Sequence, residues 1–252
     1  MSRPEIYIEN AIAMWASIDP VSEPIPGVIR VETSRSTRVL LRRPMPAGVI
    51  AELLDAEPAA KRVVLEDSFG PPGSAVLEDA AIFALPDSIA ADAVLPHKVT
   101  VKKMPVMIRP AGPLTPISRP DIKVIQAADV AALAVANRVI AEGFPVESSD
   151  EVIPEHVLDL PEWQVWLAYR DGFPAAAGYT YDDGTAVGVY LLATLPEHRS
   201  AGLGRAIMTT AVAAHPARLA ALVATDAGAP LYRSLGFAEV ATSTWYTRSP
   251  VD

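Results

Sequence analysis

The stretch Arg199-Ser200-Ala201-Gly202-Leu203-Gly204-Arg205 puts two glycines and two arginines at the junction of a strand-like apolar run and a helix-like one. Glycine has no Cβ to block approach, so backbone N–H groups at 202 and 204 can reach an anion, and a helix start adds unpaired donors and a favourable dipole. Arg199 and Arg205 bracket the loop with charge-assisted donors. This combination suits the holding of a pyrophosphate. A plain tight turn before a helix also uses Gly-x-Gly, so the pattern alone leaves both readings open.

Two common nucleotide loops do not fit. A dinucleotide-binding turn needs a third glycine and an acidic residue about 20 positions later, and a triphosphate loop ends in Gly-Lys-Ser/Thr. Neither pattern follows Gly204. The sequence has no cysteine, which removes disulfides, thiolate metal sites and a cysteine nucleophile. His97, His156, His198 and His215 lie far apart with no i, i+4 pairing, so no metal is expected.

A net charge of −9 and a pI near 5.0 argue against a nucleic-acid partner, whose phosphates need Lys and Arg. An acidic surface suits a cationic amine substrate. No apolar run approaches the ~20 residues that cross a bilayer, and Met1-Ser2-Arg3-Pro4-Glu5 does not read as a signal peptide. A cytoplasmic protein without a membrane partner is the expectation.

The elements that must position the glycine loop form a regular series. Ile122 to Ile125 reads as a strand, Asp129 to Ala141 as a helix with Leu133, Ala136 and Ile140 on one face, and Pro154 to Leu160 as a short helix. Strands are expected at Val165 to Tyr169, Ala175 to Tyr181 and Ala186 to Leu195, with hairpin signals at Asp171-Gly172 and Asp182-Asp183-Gly184. Then come a helix over Gly202 to Ala214, a strand over Leu219 to Thr225, a helix over Ala229 to Leu235, and a closing strand over Thr242 to Thr247. Trp163, Trp166, Trp245 and Tyr246 border apolar strand residues and read as core.

Upstream, strands are expected at Ile29 to Val31, Arg38 to Leu41, Val63 to Glu66, Ala81 to Leu85 and Lys98 to Ile108, with a helix over Val49 to Ala56. This half carries no nucleotide loop. Between the halves, Pro110, Pro113, Pro116 and Pro120 cannot continue a helix or a central strand. The division is therefore an N-terminal α/β domain over 1–112, a proline-rich linker over 113–120 and a second domain over 121–252. A long extended loop within one domain is the alternative. The fold class is α/β with a mixed sheet.

Arg199-x-x-Gly202-x-Gly204 resembles the signature loop of the GCN5-related N-acetyltransferase (GNAT) family at every position. Ala229-Pro230-Leu231-Tyr232-Arg233-Ser234-Leu235-Gly236-Phe237 resembles the family's second hallmark, a tyrosine-bearing helix ending in Gly-Phe. The resemblance covers about residues 120 to 250. It implies the GNAT acyl-CoA N-acyltransferase fold, with an additional N-terminal domain that is a candidate degenerate relative.

The resemblance further implies acetyl transfer from acetyl-CoA to a primary amine. The backbone of Leu192, Ala193 and Thr194 would pair with pantetheine along a splayed strand. Arg199, Ser200, Ala201, Gly202, Leu203, Gly204 and Arg205 would hold the pyrophosphate. Tyr232 would be the general acid for the leaving thiolate, its alternative being a packing role. The family's strand-four Glu is missing from Gly188-Val189-Tyr190-Leu191-Leu192. Glu142, Glu147, Asp150 and Glu151 are substitutes for it, though as loop acids they read first as solvated. Tyr179 and Tyr181 share a strand face and are candidates to line the acceptor pocket. The acceptor is a small-molecule or peptide amine, and homodimerisation stays open. The competing reading is a non-catalytic acyl-CoA-binding module that regulates or recognises a ligand.

Overall fold

Ser2 and Glu5 start the first helix, the Glu5 carboxylate accepting the Ser2 N–H at 2.6 Å, one half of a capping box. In the computed structural model, which describes residues 2–33, 36–73, 99–144 and 153–250, this helix is α1 (Arg3–Ala16). β1 (Val21–Ile25), β2 (Val28–Glu32) and β3 (Ser36–Leu41) follow, then α2 (Ala47–Asp55), β4 (Arg62–Gly70) and β5 (Val99–Arg109). The second half gives β6 (Ile122–Gln126), α3 (Val130–Gly143), a 3₁₀ turn (Glu155–Asp159), β7 (Trp163–Arg170), β8 (Phe173–Asp182) and β9 (Ala186–Thr194). A second 3₁₀ turn (Pro196–His198) leads to α4 (Leu203–Ala213), β10 (Leu219–Val223), α5 (Ala229–Ser234) and β11 (Ala238–Arg248). The strand expected at Ala81 to Leu85, and Glu147, Asp150 and Glu151, lie outside the described residues.

The chain forms two compact units. One comprises the described residues of Met1–Met107, Val223–Ala229 and Ala238–Asp252; the other comprises those of Ile108–Leu222 and Pro230–Phe237. In the first, strands run in the order β1-β2-β3-β4-β11-β5. β1, β2 and β3 are successive antiparallel neighbours, and β3 and β4 are parallel, as the α2 crossover requires. β11, expected to close the 121–252 domain, instead pairs antiparallel with β4 from Thr242↔Gly70 to Arg248↔Val63. Alternation along β3 and β4 sends Val39, Leu41, Val63 and Leu65 into a core with Ile50 and Leu54 of α2.

In the second unit the order is β10-β9-β8-β7-β6, antiparallel throughout except for the parallel pair β9–β10. Asp129 caps α3, its carboxylate accepting the Ala132 N–H at 2.8 Å. α4 buries Leu203, Ile207 and Ala211 against Trp166, Ala168 and Ala175 on one sheet face. α3 covers the other face: a Cβ added to Gly143 would stand 3.2 Å from the Cβ of Ala193. Trp163, Trp166 and Tyr246 are buried as expected. Among the described residues, no helix is long and apolar enough to cross a membrane.

Candidate active site

The pairing of β9 with β10 covers only Ala186↔Leu219, Val187↔Ala220 and Gly188↔Ala221, although β9 runs on to Thr194. Beyond Gly188 the parallel pairing ends, and no further β10 partner is paired with Leu192, Ala193 or Thr194. The other edge is occupied, with Ala193 opposite Ala177 and Thr194 opposite Ala176. An extended ligand carrying amide groups could add to the unpaired edge as a further strand would.

A bulge shapes this edge. Between the pairs Ala177↔Ala193 and Tyr179↔Tyr190, β9 has two residues, Leu191 and Leu192, against the single Gly178 of β8. Leu191 takes φ of 48°, the left-handed region that a branched side chain rarely enters. A Cβ on Gly178 would come within 2.9 Å of the Leu192 Cα, so glycine is required where the bulged strand leans in. The sequence carried a signal for this, since a glycine inside a strand often marks a bulge.

After β9 the chain turns through Ser200 (φ 60°) and Gly202 (φ 87°) into α4. Gly202 stands at the N-cap with no side-chain cap, and the first turn holds no acidic residue. The first intrahelical bond runs from the Ala206 N–H to the Gly202 carbonyl at 3.0 Å. The amides of Leu203, Gly204 and Arg205 therefore have no acceptor within the helix, the local condition for an anion site.

Gly204 has a different part from Gly202. Its backbone is ordinary helix, and a Cβ there would press on the Leu231 side chain at 3.3 Å and meet that of Leu192 at 3.9 Å. The missing Cβ lets α5 and the bulged strand close in around the start of α4. Arg205 reinforces this docking by donating to the Ser234 hydroxyl, which donates to the Leu231 carbonyl at 2.6 Å. Arg199 donates from Nε to the Thr194 carbonyl at 3.3 Å and from Nη2 to the Gly143 carbonyl at 3.1 Å, tying the loop to the ends of β9 and α3.

Tyr232 sits on α5, buried, with its ring edge-on to Phe237 at 5.8 Å between centroids. Burial pushes its phenol up to about 12, because the anion is disfavoured out of water. Past α5 the chain turns at Gly236 (φ 85°), and the carbonyl of its neighbour Leu235 accepts from Arg109 Nε at 3.1 Å. Tyr179 and Tyr181 belong to an aromatic row. Tyr179 stacks between Trp163 (4.8 Å) and Tyr190 (5.3 Å), and Tyr181 meets Trp163 edge-on at 5.7 Å. Glu142 is exposed near the end of α3.

The structure thus brings together β9, the glycine loop and the Tyr232 helix. It adds three residues that sequence reasoning passed over. Gly178 sets the bulge, Tyr190 extends the aromatic row, and Arg119 donates to the Ala201 carbonyl at 2.7 Å. Tyr190 was findable as the cross-strand neighbour of Tyr179; Arg119 had no local signal. Among the described residues, no group of three or more His, Asp or Glu could hold a metal ion.

Comparison with known proteins follows this geometry. Residues 161–239 match the family model described as "Acetyltransferase (GNAT) domain". A GCN5-related N-acetyltransferase from Kribbella flavida superposes with a TM-score of 0.66 at 18% identity, covering 98% of this chain and 96% of its own. A GNAT-family protein from Novosphingobium aromaticivorans gives 0.58 at 17%, covering 98% and 97%. A GCN5-related N-acetyltransferase-like protein from Streptococcus suis gives 0.59 at 10%, covering 98% of each chain. At these identities the likeness is one of fold, and it extends over both units. No curated protein matches the sequence.

Proposed function

We propose, from the match of residues 161–239 to the GNAT acetyltransferase family model, that the protein transfers an acetyl group from acetyl-CoA to a primary amine. The observation that carries the reading is the unpaired edge of β9 beside a glycine loop whose helix start has free amides. The backbone of Leu192, Ala193 and Thr194 would take the pantetheine amides, and the amides of residues 202–205 the pyrophosphate. Acetyl-CoA supplies the activated thioester; the chain supplies position and a hydrogen bond to the leaving sulfur.

Tyr232 is the group that donates to the leaving sulfur in this reading. A phenol at about 12 is fully protonated at neutral pH. A thiol near 8.5 is the weaker base once ionised, so complete transfer from Tyr232 runs uphill. The hydroxyl therefore works chiefly as a hydrogen-bond donor that stabilises charge on the departing sulfur, which puts its contribution at the low end of the ~10²–10⁴-fold range of a positioned acid. The acceptor amine must arrive neutral, because a protonated amine has no lone pair with which to attack.

Release of free thiol from acetyl-CoA, measured across a panel of primary amines, tests the reading. Amine-dependent release is expected. Saturable CoA binding with release no faster than background hydrolysis, for every amine, would assign the chain instead to a non-catalytic acyl-CoA-binding module.

A further inference from the structure

The residues between Arg109 and Asp121 have a dense set of hydrogen bonds to the elements of the proposed site. Pro110, Pro113, Pro116 and Pro120 have no N–H to give, so the segment is rich in carbonyls and poor in donors. Arg109 supplies the deficit. Its guanidinium donates to the carbonyls of Pro110 (3.1 Å), Gly112 (3.1 Å) and Pro113 (2.9 Å) and, beyond the segment, of Leu235 at the end of α5. The Gly112 N–H reaches the Pro216 carbonyl at 2.9 Å, and the Ile117 N–H reaches the Thr209 hydroxyl on α4 at 3.3 Å. At the far end Arg119 donates to the Ala201 carbonyl at 2.7 Å. The segment is a strap from the Tyr232 helix, along α4, to the glycine loop.

Arg119 is held for this contact. Its Nε and Nη2 engage the two oxygens of Asp121, at 3.0 and 2.6 Å, in a fork that leaves Nη1 to the loop. That fork is exposed and adds little to stability, but it fixes the plane of the guanidinium. Nη1 lies 3.4 Å from where a Cβ on Gly202 would be. No described peptide bond is cis, so the Ala201 carbonyl and the Gly202 N–H belong to one trans plane and point in opposite directions. Whatever holds the carbonyl therefore aims the amide.

We propose that Arg119 is a positioning residue for the cofactor loop: by holding the Ala201 carbonyl from the strap, it aims the Gly202 amide at the phosphate-bearing end of acyl-CoA. The inference rests on the acyl-CoA reading of this site. It adds a residue outside the glycine motif and assigns a task to the proline-rich segment. Because its contact is to loop backbone, its effect belongs to donor binding and not to the thioester chemistry.

The test compares acetyl-CoA with S-acetyl-N-acetylcysteamine, a thioester donor without phosphates, for wild type, Arg119→Ala, Arg119→Lys and Asp121→Asn. Losing a charge-assisted hydrogen bond should raise KM for acetyl-CoA, and the calorimetric Kd for CoA, at least about tenfold in Arg119→Ala. The kcat should stay within about twofold, and kcat/KM for the short donor should not change. Arg119→Lys, which keeps a donor and charge, should recover part of the loss. Asp121→Asn should show a smaller loss in the same direction. Equal losses with both donors would mean general disorder of the loop and overturn the proposal, as would Arg119→Ala with unaltered Kd. A wild-type protein with no measurable CoA affinity would overturn the acyl-CoA reading itself, an outcome separate from either of these.

Discussion

β3–α2–β4 and β9–α4–β10 are the same local construction, two parallel strands joined by a helix, yet only one is open. β3 pairs with β4 from Ser36↔Arg62 to Leu40↔Glu66, nearly its whole length, and β4 is engaged on its other side by β11. β9 pairs with β10 only over residues 186–188, although the strand continues to Thr194. The turns differ in the same sense. Arg42-Arg43-Pro44-Met45-Pro46 enters α2 with proline at the N-cap, where the missing Cβ and available amides of Gly202 stand in α4. One crossover has been closed into a structural piece, the other left partly unpaired beside a bulge. The strands that leave an edge unpaired, and the residue at the helix start, decide which is which.

The largest expected effect should separate chemistry from scaffold. Tyr232→Phe keeps the ring packed on Phe237 and removes only the hydroxyl, so Tm and CoA affinity should change little while kcat falls about 10²-fold. The kcat–pH profile gives a second measurement. With the phenol pushed up to about 12, wild type should lose no activity through this group between pH 8 and 10. A kcat that falls only a few-fold when chemistry limits the rate would make Tyr232 a packing residue. Both crossovers would then be scaffold as far as α5 is concerned.

Next in size is the loop. Gly202→Val forces a β-branched residue to φ of 87° and sets its Cβ against the Arg119 guanidinium. CoA affinity should fall about 10- to 100-fold in calorimetry with the fold intact. Met45→Val in the closed crossover should leave it unchanged. Unaltered affinity in folded Gly202→Val would show that the loop is an ordinary turn, erasing the contrast with α2.

Much of this contrast was legible in the sequence, and the illegible part has a common cause. The loop, the Tyr232 helix and every strand of the second unit could be read from glycine placement and apolar period. Those are local properties. α1 was missed although Ser2 and Glu5 offer a capping-box signal, and β1 hides because Pro24 and full exposure give no alternating pattern. β11 could be recognised as a strand but not given a partner, since its pairing with β4 joins residues far apart in the chain. The prolines from 110 to 120 read as a linker for the same reason. Apart from the Thr209 hydroxyl on α4, the partners outside the segment are the backbone carbonyls of Ala201, Pro216 and Leu235, and a backbone carbonyl leaves no mark on a residue's identity.

The smallest effect concerns the closed unit alone. Glu66 is buried on β4, where it accepts from the Ser68 hydroxyl at 2.9 Å and the Ser243 hydroxyl at 3.2 Å, near Arg38, whose guanidinium stacks over Trp15 at 4.6 Å. Burial pushes its carboxyl above the usual range, opposed by those hydrogen bonds and by the Arg38 charge. The folded protein therefore keeps this proton to higher pH than the unfolded chain does. Its contribution to stability is complete below the unfolded value and is lost as pH rises through the window toward the folded one. Glu66→Gln retains an acceptor and cannot ionise, so it should leave Tm unchanged near pH 4 and raise it at pH 8, where the wild-type carboxyl carries the burial penalty. Acetyl transfer should not change. A variant that folds with the higher Tm but has lost turnover would bring Glu66 into the chemistry, and the closed crossover could no longer be treated as scaffold.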